Sequence, residues 1–154
     1  MTNLITIVEE PKGEAYVALL RFALKHTSFF SLVWRDQLDF LESATSVAET
    51  LRSDLLSEHR TNEWPGTHLF GHLATVRLYR MSPSAFSVLR QVGGLYEWVA
   101  PERPEDLAFY VGEGNPWLAS IAHERDGFVY PDAIDLQDLA GSVQGLRLER
   151  VDGK

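Results

Sequence analysis

The sequence predicts an α+β domain: a mixed, mostly antiparallel sheet covered by about three helices and ending in a β-meander. Three observations lead there. Strand-like and helix-like patterns alternate through roughly the first hundred residues. Three short apolar runs broken by turn residues then follow between Leu107 and Tyr130. Long parallel β-α-β units with glycine-rich phosphate loops are missing. At 154 residues and 45% hydrophobic content, the chain suits one domain, spanning 1–154, with a substantial core.

Leu4 to Val8 is short and β-branched and reads as a strand, closed by the turn residues Pro11-Lys12-Gly13. Tyr16, Leu19, Leu20 and Ala23 recur at helical spacing, which predicts a helix from Glu14 to Lys25. Phe29 to Arg35 reads as a buried strand. Ser46-Val-Ala-Glu49 has the form of a capping box, and Val47, Leu51 and Leu55 line one face behind it. A helix from Ala44 to Glu58 is expected, with a polar loop over His59 to Gly66. Leu73 to Arg80 alternates as a half-buried strand should, with Ala74, Val76 and Leu78 on one side. Ser82-Pro83 starts a helix that Gly93-Gly94 ends. Leu107–Val111, Trp117–His123 and Phe128–Tyr130 form the meander, with Asp126-Gly127 as a tight hairpin turn. Ala133 to Leu139 reads as a short helix and Leu146 to Val151 as an edge strand. Phe30, Leu32, Val76, Leu78, Phe109 and Ile121 are expected in one core network.

Composition narrows the function. A net charge of −8 disfavours nucleic acid, whose phosphates an acidic surface repels. The absence of cysteine removes disulfides, thiolate metal sites and cysteine nucleophiles, and fits a cytoplasmic setting. The longest apolar stretch, Tyr16 to Leu24, is interrupted by Arg21 and is too short to span a bilayer, and no secretory signal is visible. Gly112-Glu-Gly114 has too few glycines, and a carboxylate in the middle, to cradle phosphate. His68 and His72 have zinc-helix spacing, but the glutamate of a metalloprotease motif is absent and Gly71 weakens a helix there, so neither a metal nor another cofactor is expected.

Candidate site residues fall in two groups. Asp36, Asp39, Glu42, Glu49, Asp54 and Glu58 lie close together with only Arg52 inside the span, either as a solvated face or as a patch for a basic protein. The stretch from Trp98 to Glu124 holds Glu105, Asp106, Trp117, His123 and Glu124 around short apolar runs. The end of Trp117–His123 should return to the start of the strand at Leu107, bringing Glu105, Asp106 and His123 together at the sheet's edge. His123 and Glu124, adjacent on a strand, should point to opposite faces. His123 with Glu105 or Asp106 is the minimum for general-base work in a small hydrolase, but no nucleophile stands in a recognisable elbow. Trp64, Trp98 and Trp117 belong to the core by default, or to an anchoring patch if partly exposed.

As a set, Trp64-Pro-Gly-Thr67, Trp98-x-x-Pro101, Pro104-Glu-Asp-Leu107 and His123-Glu124 resemble a family of small stand-alone bacterial proteins, some of them labelled stage III sporulation protein AH. The resemblance covers roughly residues 14 to 130. It implies a bacterial, soluble, single-domain accessory protein, similar in character to immunity proteins. The family carries no established activity, so no catalytic residue transfers, and the spanning segment expected of a true membrane-anchored sporulation-channel component is not seen in this sequence. A protein-binding module, immunity-like and directed at a basic partner, is therefore the leading expectation, with the small hydrolase as the alternative.

Overall fold

The computed structural model describes residues 4 to 150. It is α+β: four α-helices and an eight-stranded sheet. β1 (Ile5–Ile7) leads into α1 (Glu14–His26), which buries Tyr16, Leu19, Leu20, Phe22 and Ala23 along one stripe. Gly13 starts this helix with a φ of 62°, a conformation that favours glycine, and its N–H bonds to the Gly93 carbonyl at 2.7 Å. β2 (Phe29–Arg35) follows as expected.

The next segment departs from the reading of Ala44 to Glu58 as one helix. The chain forms α2 (Glu42–Thr50), a 3-10 turn over Arg52–Asp54, and then β3 (Leu55–Thr61). Ser46 and Glu49 lie inside α2, not at its start. Tertiary bonds decide against the longer helix. Leu51 is fully buried in the core, and Asp54 accepts hydrogen bonds from the Ser82 and Ser84 hydroxyls at 3.0 and 3.1 Å. Holding Asp54 there turns the chain, and Leu55 onward pairs with β6 (Ala74–Arg80). His59 to Thr61, expected in a loop, are thus strand.

Between β3 and β6, β4 (Glu63–Trp64) and β5 (Thr67–His68) make a separate two-stranded hairpin. Its turn is Pro65-Gly66. Gly66 has a φ of 89°, and a Cβ there would lie 3.1 Å from Ile121. α3 (Pro83–Leu89) starts where Ser82-Pro83 predicts, with the Ser82 hydroxyl accepting from the Ala85 N–H. β7 (Glu105–Tyr110), β8 (Leu118–Ile121) and β9 (Asp126–Val129) form the expected meander. The Asp126-Gly127 turn is not where it was expected: both residues lie in β9, opposite Ile121 and Ser120. The reversal is a 3-10 turn over Ala122–Glu124 followed by Arg125 at a φ of 57°. α4 (Leu136–Ser142), capped by Asp135, and β10 (Leu148–Arg150) complete the chain, shifted a few residues from expectation. Val151, placed in the last strand by the sequence, lies outside the described residues.

The sheet order is β10-β1-β9-β8-β7-β2-β6-β3, and the paired neighbours are antiparallel. One face carries the main core: Phe30, Leu32, Tyr79, Phe109, Leu118 and Val129 from the strands meet α1, α3 and α4. Val76 is not part of it. It sits opposite Val33 and packs with Val33, Ala74 and Trp64 in a smaller cluster on the other face. Leu78, opposite Ser31, is half-buried on that same second face, and Ile121 touches the hairpin turn there. The single network expected for Phe30, Leu32, Val76, Leu78, Phe109 and Ile121 is therefore split by the sheet. The β6 residues that share a face with Phe30 and Leu32 are Tyr79 and Arg77. No helix among the described residues is long and apolar enough to cross a membrane.

Candidate functional site

The second face of the sheet is where the sequence-flagged residues converge. Along β7, Ala108 pairs with Ser31 of β2 and Glu105 with Val33, so Asp106 and Leu107 together oppose Leu32. This is a β-bulge. Asp106 adopts a φ of 59°, a left-handed conformation that aspartate tolerates better than most residues. In a regular strand two consecutive side chains point to opposite faces. The bulge breaks that alternation. Glu105 and Asp106 both reach Arg35, while Leu107 enters the helix-side core.

Arg35, the last residue of β2, is the centre of the cluster. Its Nε lies 3.0 Å from Glu105 Oε1, off the N–H direction, so the contact is an ion pair without a linear hydrogen bond. A terminal guanidinium nitrogen lies 3.9 Å from Asp106 Oδ2 and 3.1 Å from His123 Nδ1. The guanidinium also sits 5.6 Å from the Trp64 ring centre. The side chains are 11%, 3% and 0% exposed for Arg35, Glu105 and Asp106.

The fold supplies N–H donors to three of the four carboxylate oxygens, and Glu105 Oε1 is left with the Arg35 ion pair alone. Asp106 Oδ2 accepts the Trp64 indole N–H at 2.9 Å and Oδ1 accepts the Ala122 N–H at 2.9 Å. Glu105 Oε2 accepts the Ala100 N–H at 3.2 Å, and the Asp106 N–H bonds to the Trp98 carbonyl at 3.2 Å. Burial pushes the Asp106 carboxyl above its ordinary pKa, with Glu105 adding to the rise. The Trp64 and Ala122 donors and Arg35 act in the opposite direction. The four motifs noted in the sequence thus meet in one place. Trp64 comes from the first, Trp98 and Ala100 from the second, Glu105 and Asp106 from the third, and His123 with its neighbour Ala122 from the fourth.

The expected approach of His123 to the two carboxylates is bridged by a residue the sequence did not single out. Arg35 stands between them, with Nδ1 of the imidazole facing a cation. His123 and Glu124 are not on opposite strand faces either. Both sit in the 3-10 turn, exposed, with His123 Nε2 3.6 Å from Glu124 Oε2.

The tryptophans are structural. Trp98 and Trp117 are 1% and 0% exposed. Trp98 donates to the Tyr16 hydroxyl at 2.8 Å, which donates on to the Leu89 carbonyl at 2.7 Å, and Trp117 donates to the Thr27 hydroxyl. Trp64, also buried, pins the β4–β5 hairpin to the sheet. None of the three is a surface anchor.

In the acidic span, Asp54 is buried and cannot contribute to a patch. Asp36 pairs with Arg60, Glu49 with Arg52 and Glu58 with Arg77. Asp39 and Glu42 are exposed, and among the described residues neither forms an ion pair. His68 lies in β5, stacked on Phe70, and His72 lies in the following loop, so no helix face joins them.

No family model matches the chain, and no curated protein or solved structure matches it.

Proposed function

We propose that this chain is a protein-binding module, immunity-like in kind, that takes a basic protein partner on the surface around Asp39 and Glu42. The observation that carries the reading is Leu41. It is 52% exposed and stands between Asp39 and Glu42, two exposed acids that form no ion pair among the described residues. An exposed apolar side chain flanked in the chain by exposed acids suits a small interface anchor.

The segment is held in place before any partner arrives. The Leu41 N–H bonds to the Pro101 carbonyl at 2.8 Å, the Ser43 hydroxyl to the Glu102 carbonyl at 2.7 Å, and Phe40 packs on Trp34. Preordering of this kind lowers the entropic cost of association. The overall charge of −8 adds a long-range attraction for a basic partner. A cytoplasmic setting, and membership of the bacterial family that the motifs resemble, belong to the same proposal.

The hydrolase reading has less support. Glu105 and Asp106 are committed to Ala100, Trp64, Ala122 and Arg35, and the Nδ1 of His123 faces a guanidinium instead of a carboxylate. Affinity capture from a bacterial lysate with the full chain, followed by association kinetics with the captured protein, tests the proposal. The double substitution Asp39→Lys, Glu42→Lys should slow association several-fold at low salt and flatten its salt dependence. Unchanged rates and an unchanged salt response would refute this surface as the interface.

A further inference from the structure

β3 ends the sheet. Leu55 and Ser57 to Thr61 pair with β6 on one side, with Leu56 left out at an irregularity, and among the described residues nothing pairs with the other side. Leu55 through Arg60 are exposed. A strand edge of this length offers a row of free N–H and C=O groups to any other strand. Charged side chains usually blunt such an edge. Here their order selects a partner instead.

We infer that the β3 edge pairs with β3 of a second copy of this chain, antiparallel and centred on His59. Outward-facing backbone groups meet one another across a two-fold axis only when paired residue numbers sum to an even value, so the axis passes through a residue. Centring on Glu58 sets two glutamates against each other. Centring on Arg60 sets two arginines against each other. Centring on Ser57 leaves Glu58 opposite leucine. Centring on His59 places Glu58 directly opposite Arg60 of the second copy, twice, on one face.

The neighbouring charges extend the match. Glu58 already meets Arg77 at 3.5 Å, and Arg60 already binds Asp36. In the paired sheet the row runs Arg77, Glu58, Arg60 of the second copy, Asp36 of the second copy. Its signs alternate throughout, and the reciprocal row repeats it. The sequence Glu58-His59-Arg60 is thus self-complementary in charge in this one register. This surface is distinct from the Asp39–Glu42 segment proposed for the basic partner.

The chain contains no cysteine, so one introduced thiol reports the register without interference. Residues directly opposite in an antiparallel pair have Cα atoms about 4.5–5.5 Å apart, within disulfide reach. Under mild oxidation His59→Cys should become a covalent dimer, while Ser57→Cys, facing Thr61 of the second copy, should not. Sedimentation velocity of the untagged full chain over a concentration series should show reversible dimer formation. Arg60→Glu should weaken it at least tenfold, and Glu58→Arg combined with Arg60→Glu should recover it. Circular dichroism checks that each variant is folded. A wild-type chain that stays monomeric at several hundred micromolar, equal cross-linking of both cysteine variants, or no recovery in the folded double variant would each overturn the inference.

Discussion

Replacing Arg35 by leucine removes the cation that, among the described residues, faces both buried carboxylates. The apolar stem survives, so the change is chiefly electrostatic. Glu105 is left with its bond to Ala100 and no counter-charge, and Asp106 with two N–H donors and no counter-charge. Breaking a buried pair by deleting one partner costs about 3–5 kcal/mol, mostly because the other charge stays buried. Arg35 is 11% exposed and its approach to Asp106 is 3.9 Å, which places the expectation near the lower end, about 3 kcal/mol at pH 7. For a chain of this size that corresponds to a fall of roughly 6–12 °C in the unfolding midpoint. The pH dependence fixes the mechanism. Asp106 already has a raised folded pKa, and without Arg35 the rise is larger. A carboxyl with a raised folded pKa contributes stability that is present below its unfolded pKa and lost as pH rises through the folded value. The deficit of the Arg35→Leu variant should therefore shrink as the pH is lowered from 7 toward the ordinary carboxylate range. Urea unfolding followed by tryptophan fluorescence at several pH values measures it. A deficit below about 1 kcal/mol at pH 7, the size of a surface ion pair, would refute the assignment of Arg35 as the hub.

Trp64→Phe keeps the apolar ring but deletes the donor to Asp106, which should cost about 1.5–3 kcal/mol. Amide exchange in the β4–β5 hairpin should accelerate more than exchange in β7 or β8, and uniform acceleration would argue against a local pin. Asp106→Asn can still accept from Ala122 but presents a donor or a misplaced amide to the indole. It also removes the group with the raised pKa, so its stability curve should be flatter with pH than the wild type, and its deficit should be largest in acid and narrow toward neutrality. Parallel curves would show that Asp106 titrates at its ordinary value.

Much of the fold was legible because burial here follows simple periods. α1, β2 and the three meander strands lie close to where apolar patterning put them, and Ser82-Pro83 marked the start of α3 by local chemistry alone, although that helix ends at Leu89, before the Gly93-Gly94 stop that the sequence suggested. Legibility failed where a distant bond overrode a local pattern. Val47, Leu51 and Leu55 share a helical stripe, yet Asp54 is claimed by two serines of the segment opening α3, and the helix stops before it. The Asp126-Gly127 signal lost to a 3-10 turn whose first residue, Ala122, is fixed by Asp106. The face of β6 was misassigned for a related reason. Ala74 and Val76 are apolar because the β4–β5 hairpin covers them, and a sequence gives no sign that a hairpin folds back over the second face of a sheet.

The site was legible as a region but not as an arrangement. Trp64, Trp98, Glu105, Asp106 and His123 do come together, since hairpin geometry returns the end of β8 to the start of β7. What the period of two cannot express is the bulge. With Glu105 and Asp106 on opposite faces, as regular alternation requires, a single arginine could not serve both, and Arg35 reads as an ordinary charged strand end. Once Asp106 takes its positive φ, both acids share a face, and the last residue of β2 is the nearest cation to each. The same step fixes where the Asp106 oxygens point. A general base needs a lone pair directed at substrate, but the bulge turns the oxygens of Asp106 toward Trp64 and Ala122, joining four separated segments of the chain. The density of polar residues between Trp98 and Glu124 is thus the mark of a brace behind the surface, and the binding surface proposed around Asp39 and Glu42 lies on an exposed segment outside that brace.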